Sequence, residues 1–313
     1  MARKVILDCD PGIDDAAALA MALFHERLEV VAITAVAGNV HAAQATRNVQ
    51  AVVERLDPPR YPRIGAAVDH DTAPEVDNRR LLGDDGLANT NYEVSQLVHR
   101  HASEKILCDE IRAASEQVTL VALGPLTNVA RALSRDPGLV SQMGRIVMMG
   151  GSVSGIGNAT AAAEFNMHYD PASAQAVFRS RTTKTLIPLD VTSQVVFTFD
   201  IVDALPPEST RAGALLRRLL GFAFRANHQQ AGREDIYLHD VVALLAVTNP
   251  ELFTMREMHG DVETRGELTA GATVFDRRPR PAEQPNMEVA VEIDVAAARD
   301  AILRAFSEAG RQT

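Results

Sequence analysis

Short apolar runs rich in β-branched residues alternate along this chain with longer stretches of helical period, and several of the short runs are apolar on both faces. "VTLVAL" at residues 118–123 is the plainest case. A strand apolar on both faces belongs to a sheet covered above and below, and strands separated by helix-length segments pair in parallel. Strands are predicted at Lys4–Leu7, Val30–Val36, Tyr61–Ile64, Val118–Leu123, Arg145–Met149 and Lys184–Pro188. Helices are predicted at Asp14–His25, Ala42–Leu56, Ser103–Ala114, Asn128–Leu133 and Pro171–Arg179. Beyond residue 195 the helices lengthen, at Glu208–Asn227 and Asp240–Val247. "GDVETRGELTAGATVFD" then alternates like a hairpin and "MEVAVEID" like one more strand. With no linker, repeat or low-complexity tract, the expectation is one α/β domain over residues 1–313: a mostly parallel central sheet with helices on both faces and a Rossmann-like core.

The totals narrow the function. With 313 residues, 46% of them hydrophobic, the chain can bury a sizeable core. Lys plus Arg is 31 against 41 Asp plus Glu, a formal net charge of −10. That balance argues against a nucleic-acid binder or an anionic-membrane binder, which hold phosphate with clustered positive charge. It suits a site for a cation or a neutral small molecule. Cys9 and Cys108 form no C-x-x-C pair, so neither a disulfide framework nor a thiolate zinc site is expected. "MARKVILDCD" passes from two basic residues into a strand without a secretory h-region, and the cytoplasm is the expected compartment.

In open α/β sheets ligands bind beyond the carboxyl ends of the strands. The loop after the first strand carries Asp8, Asp10, Asp14 and Asp15 within eight residues. Asp14 and Asp15 open a helix, where negative charge is favoured, and Pro11-Gly12 favours a tight turn. Capping does not account for Asp8 and Asp10 at the end of a buried strand, on the same side of it, with Cys9 facing away. Buried carboxylates need a positive partner or a raised pKa, and no Lys or Arg lies between Lys4 and Arg27. Hard oxygen ligands point to Ca²⁺ or Mg²⁺. A phosphotransferase with a nucleophilic aspartate is the other reading, but it wants a lysine and a phosphate cradle, and the chain has no G-x-x-x-x-G-K-[ST]. His239-Asp240 stands where an Asp is an ordinary helix cap. "GNATAAAEFNMHYD" gathers Asn158, Glu164, Asn166 and Asp170, a set suited to sugar hydroxyls.

Together these pieces resemble the inosine–uridine-preferring nucleoside hydrolases. The D-x-D-P-G-x-D-D signature is Asp8-Cys9-Asp10-Pro11-Gly12-Ile13-Asp14-Asp15, and "AVAGNV", "LGPLTNVA", "MGGSVSGIGNATAAAEFNMHYDP", "HD" and "ETRGELTAG" follow in order. The resemblance implies Ca²⁺-dependent hydrolysis of the N-glycosidic bond of a ribonucleoside. It implies Asp10, Asp15, the Leu123 carbonyl and Asp240 as metal ligands, and Asp14, Asn158, Glu164 and Asn166 on the ribose hydroxyls. It places Asn39 near the reacting centre and His239 against the leaving base, with Asp10 as the water-activating base and Asp8 steering the loop from behind. Homodimers or homotetramers are usual for such proteins. One departure stands out: in "RLLGDDGLANT" Leu82 occupies the position where the family often has a histidine near the base. Asp84 or Asp85 is a candidate to compensate, and Tyr237, Arg233 and His228 are candidates for base contacts, with selection expected from loops near 75–95 and 222–238. A nucleoside or ribose sensor that has lost turnover is the alternative that Leu82 raises.

Overall fold

The computed structural model describes every residue except 1, 70–73, 75, 76 and 97–99. Two short antiparallel ribbons stand apart from the main sheet: β8 (Val196–Thr198) with β9 (Asp235–Tyr237), and β11 (Gly260–Val262) with β12 (Thr273–Phe275). The main sheet comprises β1 (Arg3–Cys9), β2 (Leu28–Ala35), β3 (Arg63–Ala66), β4 (His101–Ala102), β5 (Val118–Ala122), β6 (Arg145–Met149), β7 (Lys184–Ile187), β10 (Phe253–Met258) and β13 (Met287–Ile293). Its order is β10-β13-β7-β6-β5-β1-β2-β3-β4, and β10 is its one antiparallel member among the described residues.

The chain runs outward from β1 through β2, β3 and β4, then returns to the other side of β1 and continues through β5, β6 and β7. The order therefore reverses between β1 and β5, and the crevice beyond their carboxyl ends is where such a sheet offers a binding site.

Strand alternation sends Val5, Leu7 and Cys9 into one core and Ile6 into the other. The first core is covered by the helices Ile13–Leu23, Ala42–Leu56, Arg211–Ala231, His239–Thr248 and Val295–Gln312, the second by Ser103–Ala113, Thr127–Arg135 and Pro171–Arg179. The Ala-rich run in Ile13–Leu23 has a physical reason: that helix is buried along nearly its whole length. Small side chains let the sheet and the neighbouring helices approach it closely.

The expected strands and helices are present within a few residues, the third strand shifting from Tyr61–Ile64 to Arg63–Ala66. Strand β10, the ribbon β8–β9 and the C-terminal helix Val295–Gln312 were not foreseen. The stretch 222–238, expected as a loop, is mostly the end of the helix Arg211–Ala231. Of the other expected selecting loop, residues 75 and 76 lie outside the described residues. No described helix is long and apolar enough to cross a membrane.

Phe178 is fully buried in the second core, on the face away from most of the crevice residues. Phe178→Ala should cost about 3–5 kcal/mol, read as a lower urea midpoint at unchanged m, with kcat per folded molecule preserved. A loss below about 1 kcal/mol would contradict this packing.

Candidate active site

A cavity of about 360 Å³ opens beyond the carboxyl ends of β1 and β5. All ten residues singled out for metal, ribose or catalysis line it: Asp10, Asp14, Asp15, Asn39, Leu123, Asn158, Glu164, Asn166, His239 and Asp240. They come from six separate stretches of the chain.

The aspartate loop holds itself together through backbone amides. The Asp10 N–H donates to Asp15 Oδ1 (3.2 Å) and the Gly12 N–H to Asp15 Oδ2 (3.0 Å), so Asp15 closes the first turn of its own helix while its side chain stays buried. The Asn39 N–H donates to Asp10 Oδ2 at 2.7 Å. Two glycines make room for that carboxylate: a Cβ on Gly38 would lie 2.1 Å from Asp10 Oδ2, and one on Gly124 would lie 2.6 Å from Asp10 Oδ1. These are the glycines of "AVAGNV" and "LGPLTNVA".

Asp240 is not the cap that its position at a helix start suggested. Its backbone N–H donates to Asp14 Oδ2 (3.0 Å), so an acid from one helix closes the N-terminus of another. Glu164 accepts from the N–H groups of Asn166 (2.9 Å), Gly151 (2.9 Å) and Met167 (3.2 Å). Asn166 Nδ2 donates to the Leu123 carbonyl at 2.6 Å. Asn158, at the rim, accepts from the Phe165 N–H (2.8 Å).

No Lys or Arg lines the cavity, and none pairs with these acids among the described residues. Burial therefore dominates their titration. It pushes Asp14 up to about 8, Glu164 to about 7 and Asp15 to about 6, and holds Asp10 and Asp240 well above the usual carboxylate range. The negative charge of neighbouring Asp14, Asp15 and Asp10 adds to the rise at Asp240.

The donor set fits an oxygen-seeking divalent cation. It is rich in buried carboxyl groups and, among the described residues, free of basic partners, and Asp14 Oδ1 is buried there without a hydrogen bond. Among the described residues no three acidic, His or Cys side chains form a ready-made metal-ligand group. The Leu123 carbonyl keeps a second lone pair beyond its bond from Asn166.

Asp8 and Asp170 stay outside the cavity. Asp8 Oδ1 accepts from Thr34 Oγ1 (2.6 Å) and Asn128 Nδ2 (2.8 Å), and its backbone carbonyl holds the Leu123 N–H (2.8 Å). Burial pushes Asp8 up to about 7. Asp170 caps the helix Pro171–Arg179 and accepts from Thr127 Oγ1.

The wall away from the acids mixes apolar side chains with Asn78, Asn227, Tyr237 and His239. Leu82 lines the cavity and packs against Gly12, presenting an apolar side chain there. Neither Asp84 nor Asp85 reaches the cavity. Asp85 is occupied in folding its own loop, accepting from the N–H groups of Leu87, Asn89 and Asn91. Arg233 and His228 are exposed and off the cavity, paired with Asp235 and Glu234. Tyr237 does line it, stacked on His239 with 5.3 Å between ring centroids. Burial lowers His239 to about 4, so its ring is neutral at pH 7, and its Nδ1 lies 2.8 Å from Thr192 Oγ1. Asn78, Leu81, Phe165, Ala223, Asn227 and Ile236 also line the cavity. Sequence reasoning missed these six, although the i, i+4 spacing of Ala223 and Asn227 puts both on one helix face.

A mostly parallel sheet with an acid-lined cavity at its switch point is the architecture of a protein that binds a small molecule, and the chain belongs to the inosine-uridine preferring nucleoside hydrolases, whose family model matches residues 5–300. It is 38% identical over 296 residues to the non-specific ribonucleoside hydrolase RihC of Escherichia coli O7:K1, covering 94% of this chain and 95% of that one. Among solved structures it is similar to a purine-preferring ribonucleoside hydrolase from Gardnerella vaginalis (TM-score 0.90, 28% identity, 99% and 100% of the two chains). A plant nucleoside hydrolase gives a TM-score of 0.89 at 28% identity, over 98% and 99% of the chains. The protein is a ribonucleoside hydrolase acting on the N-glycosidic bond, and these relationships do not favour the sensor alternative.

Acids whose folded pKa lies above the ordinary value of 3.8 or 4.5 bind more protons folded than unfolded, so stability should fall as pH rises through that interval. His239, lowered from 6.5, acts oppositely below about 6.5. The metal-free protein should therefore lose Tm steadily between about pH 6.5 and pH 8, followed by differential scanning fluorimetry. A Tm that climbs over that interval would contradict the burial of these acids.

Proposed function

We propose that the protein hydrolyses ribonucleosides with a bound Ca²⁺, held by Asp10, Asp15, Asp240 and the Leu123 carbonyl. The observation that carries this reading is the set of acids closing one end of the cavity with no basic side chain among them. Calcium, when bound, supplies positive charge that acidifies and orients a water and fixes a sugar diol.

Asp10 is the general base. Its carboxylate is fixed by the Asn39 N–H and walled by two glycines, so its orientation toward the reacting centre is set before substrate arrives. Asp14, Asn39, Asn158, Glu164 and Asn166 bind the ribose. As the N-glycosidic bond lengthens, positive charge spreads over the ribosyl ring. Glu164 and the aspartates stabilise that charge more than the neutral ground state, which is what lowers a barrier. The water's hydroxyl joins the anomeric carbon, its proton goes to Asp10, and the bonding pair leaves with the base. A neutral His239 assists by donating an N–H to the base where negative charge collects.

Ribose release from purine and pyrimidine ribonucleosides should require metal and the 2′-hydroxyl, tested with a chelator and with 2′-deoxy substrates. Asp10→Asn should lower kcat by about 10²-fold or more while the protein stays folded. Undiminished turnover would remove Asp10 from the mechanism. His239→Ala should slow ribonucleosides more than 4-nitrophenyl riboside, whose leaving group needs no help; equal losses would sink the leaving-group role.

A further inference from the structure

The turn Leu189–Thr192 follows β7 and carries Thr192 up against His239, 47 residues further along the chain. Thr192 is wholly buried. A buried hydroxyl has to give its hydrogen to an acceptor. Among the described residues the Thr192 hydroxyl makes one hydrogen bond, the 2.8 Å contact with His239 Nδ1. Were the ring hydrogen on Nδ1, the ring would donate to Oγ1 and the hydroxyl hydrogen would be buried with nowhere to go. The contact is satisfied in one arrangement: the hydroxyl donates, Nδ1 accepts, and the ring hydrogen sits on Nε2. Tyr237, stacked at 22° between planes, restrains the ring on one face.

We propose that Thr192 is a positioning residue for leaving-group departure, fixing the His239 tautomer so that Nε2 presents an N–H to the base. This rests on the leaving-group role of His239 given above. The consequence for substrates is chemical: the base must offer an acceptor, a ring nitrogen or a carbonyl oxygen, to that N–H. His239 keeps its own hydrogen throughout. The base departs with the bonding electron pair, stabilised by the hydrogen bond, and the proton it finally carries is the one the attacking water gave up through Asp10. An apolar neighbour at Leu82 leaves no second donor at that position.

The test uses Thr192→Val and Thr192→Ser in the calcium-loaded enzyme, with His239→Ala alongside, on inosine, uridine and 4-nitrophenyl riboside. Thr192→Val should lower kcat on both nucleosides by at least about tenfold, with KM little changed and the nitrophenyl riboside within about twofold. Thr192→Ser, which keeps the hydroxyl, should recover most of the loss. Nitrogen-15 NMR of the wild-type protein should show His239 with its hydrogen on Nε2, and Thr192→Val should shift that balance. Equal losses on all three substrates, absence of rescue by serine, or a wild-type hydrogen on Nδ1 would each overturn the proposal. If His239→Ala itself fails to discriminate among the leaving groups, the role of His239 is what fails. The NMR measurement on the wild-type protein then still decides the tautomer, and it requires no variant to fold.

Discussion

Everything at the carboxyl end of this sheet is arranged around carboxylates buried without a cationic side chain. Such groups are held here by backbone amides: Asn39 on Asp10, Gly12 and the Asp10 N–H on Asp15, a helix N-terminus on Asp14, and the Gly151 amide with two first-turn amides of the helix Phe165–Tyr169 on Glu164. Amide hydrogen bonds lower a carboxyl pKa, but burial outweighs them at these residues, and the acids remain reluctant to ionise together. Protonation of some of these acids relieves that crowding when no cation is bound. A divalent cation would do so more fully, and a developing ribosyl cation would draw on the same charge. In the proposed mechanism, the crowding of these acids is what the reaction uses.

Holding acids this way demands a rigid surround. Asp10 fits because Gly38 and Gly124 have no side chains, and the first helix packs centrally because its buried face is mostly alanine. Behind the cavity, Asp8, Thr34 and Asn128 form a buried polar group that ties β1 to β2 and to the helix Thr127–Arg135. The same residue's carbonyl positions Leu123. Asp8 belongs to the signature for this structural work, outside the cavity itself.

The base end follows a different logic. The proposed ribose contacts are polar and come from separate loops and helix ends, whereas the rest of the cavity is lined largely by Leu81, Leu82, Phe165, Ala223, Ile236 and Tyr237. Such a wall discriminates by shape and contact more than by hydrogen bonds, and apolar fit alone separates ligands weakly. Asn78, Asn227 and the Thr192–His239–Tyr237 group are its ordered polar members.

Much of this was legible in the sequence. Doubly apolar strands spaced by helices dictate a covered parallel sheet, and the signature residues named the acids, because burial, strand alternation and the lack of nearby Lys or Arg are local facts. Other features were not local. Asp240 read as an ordinary cap, yet the acid that closes its helix comes from residue 14, a pairing that only packing of two helices creates. Asp85 and Arg233 looked available for the base, but a loop's own amides claim the first and Asp235 the second. Thr192 carries no sequence signal at all. The sequence by itself determined which groups are charged, which are apolar and which turns they sit on, since those follow from residue type and spacing. The tertiary structure alone decided which polar atoms meet, because a buried hydrogen bond depends on the few ångströms by which separate elements are brought together.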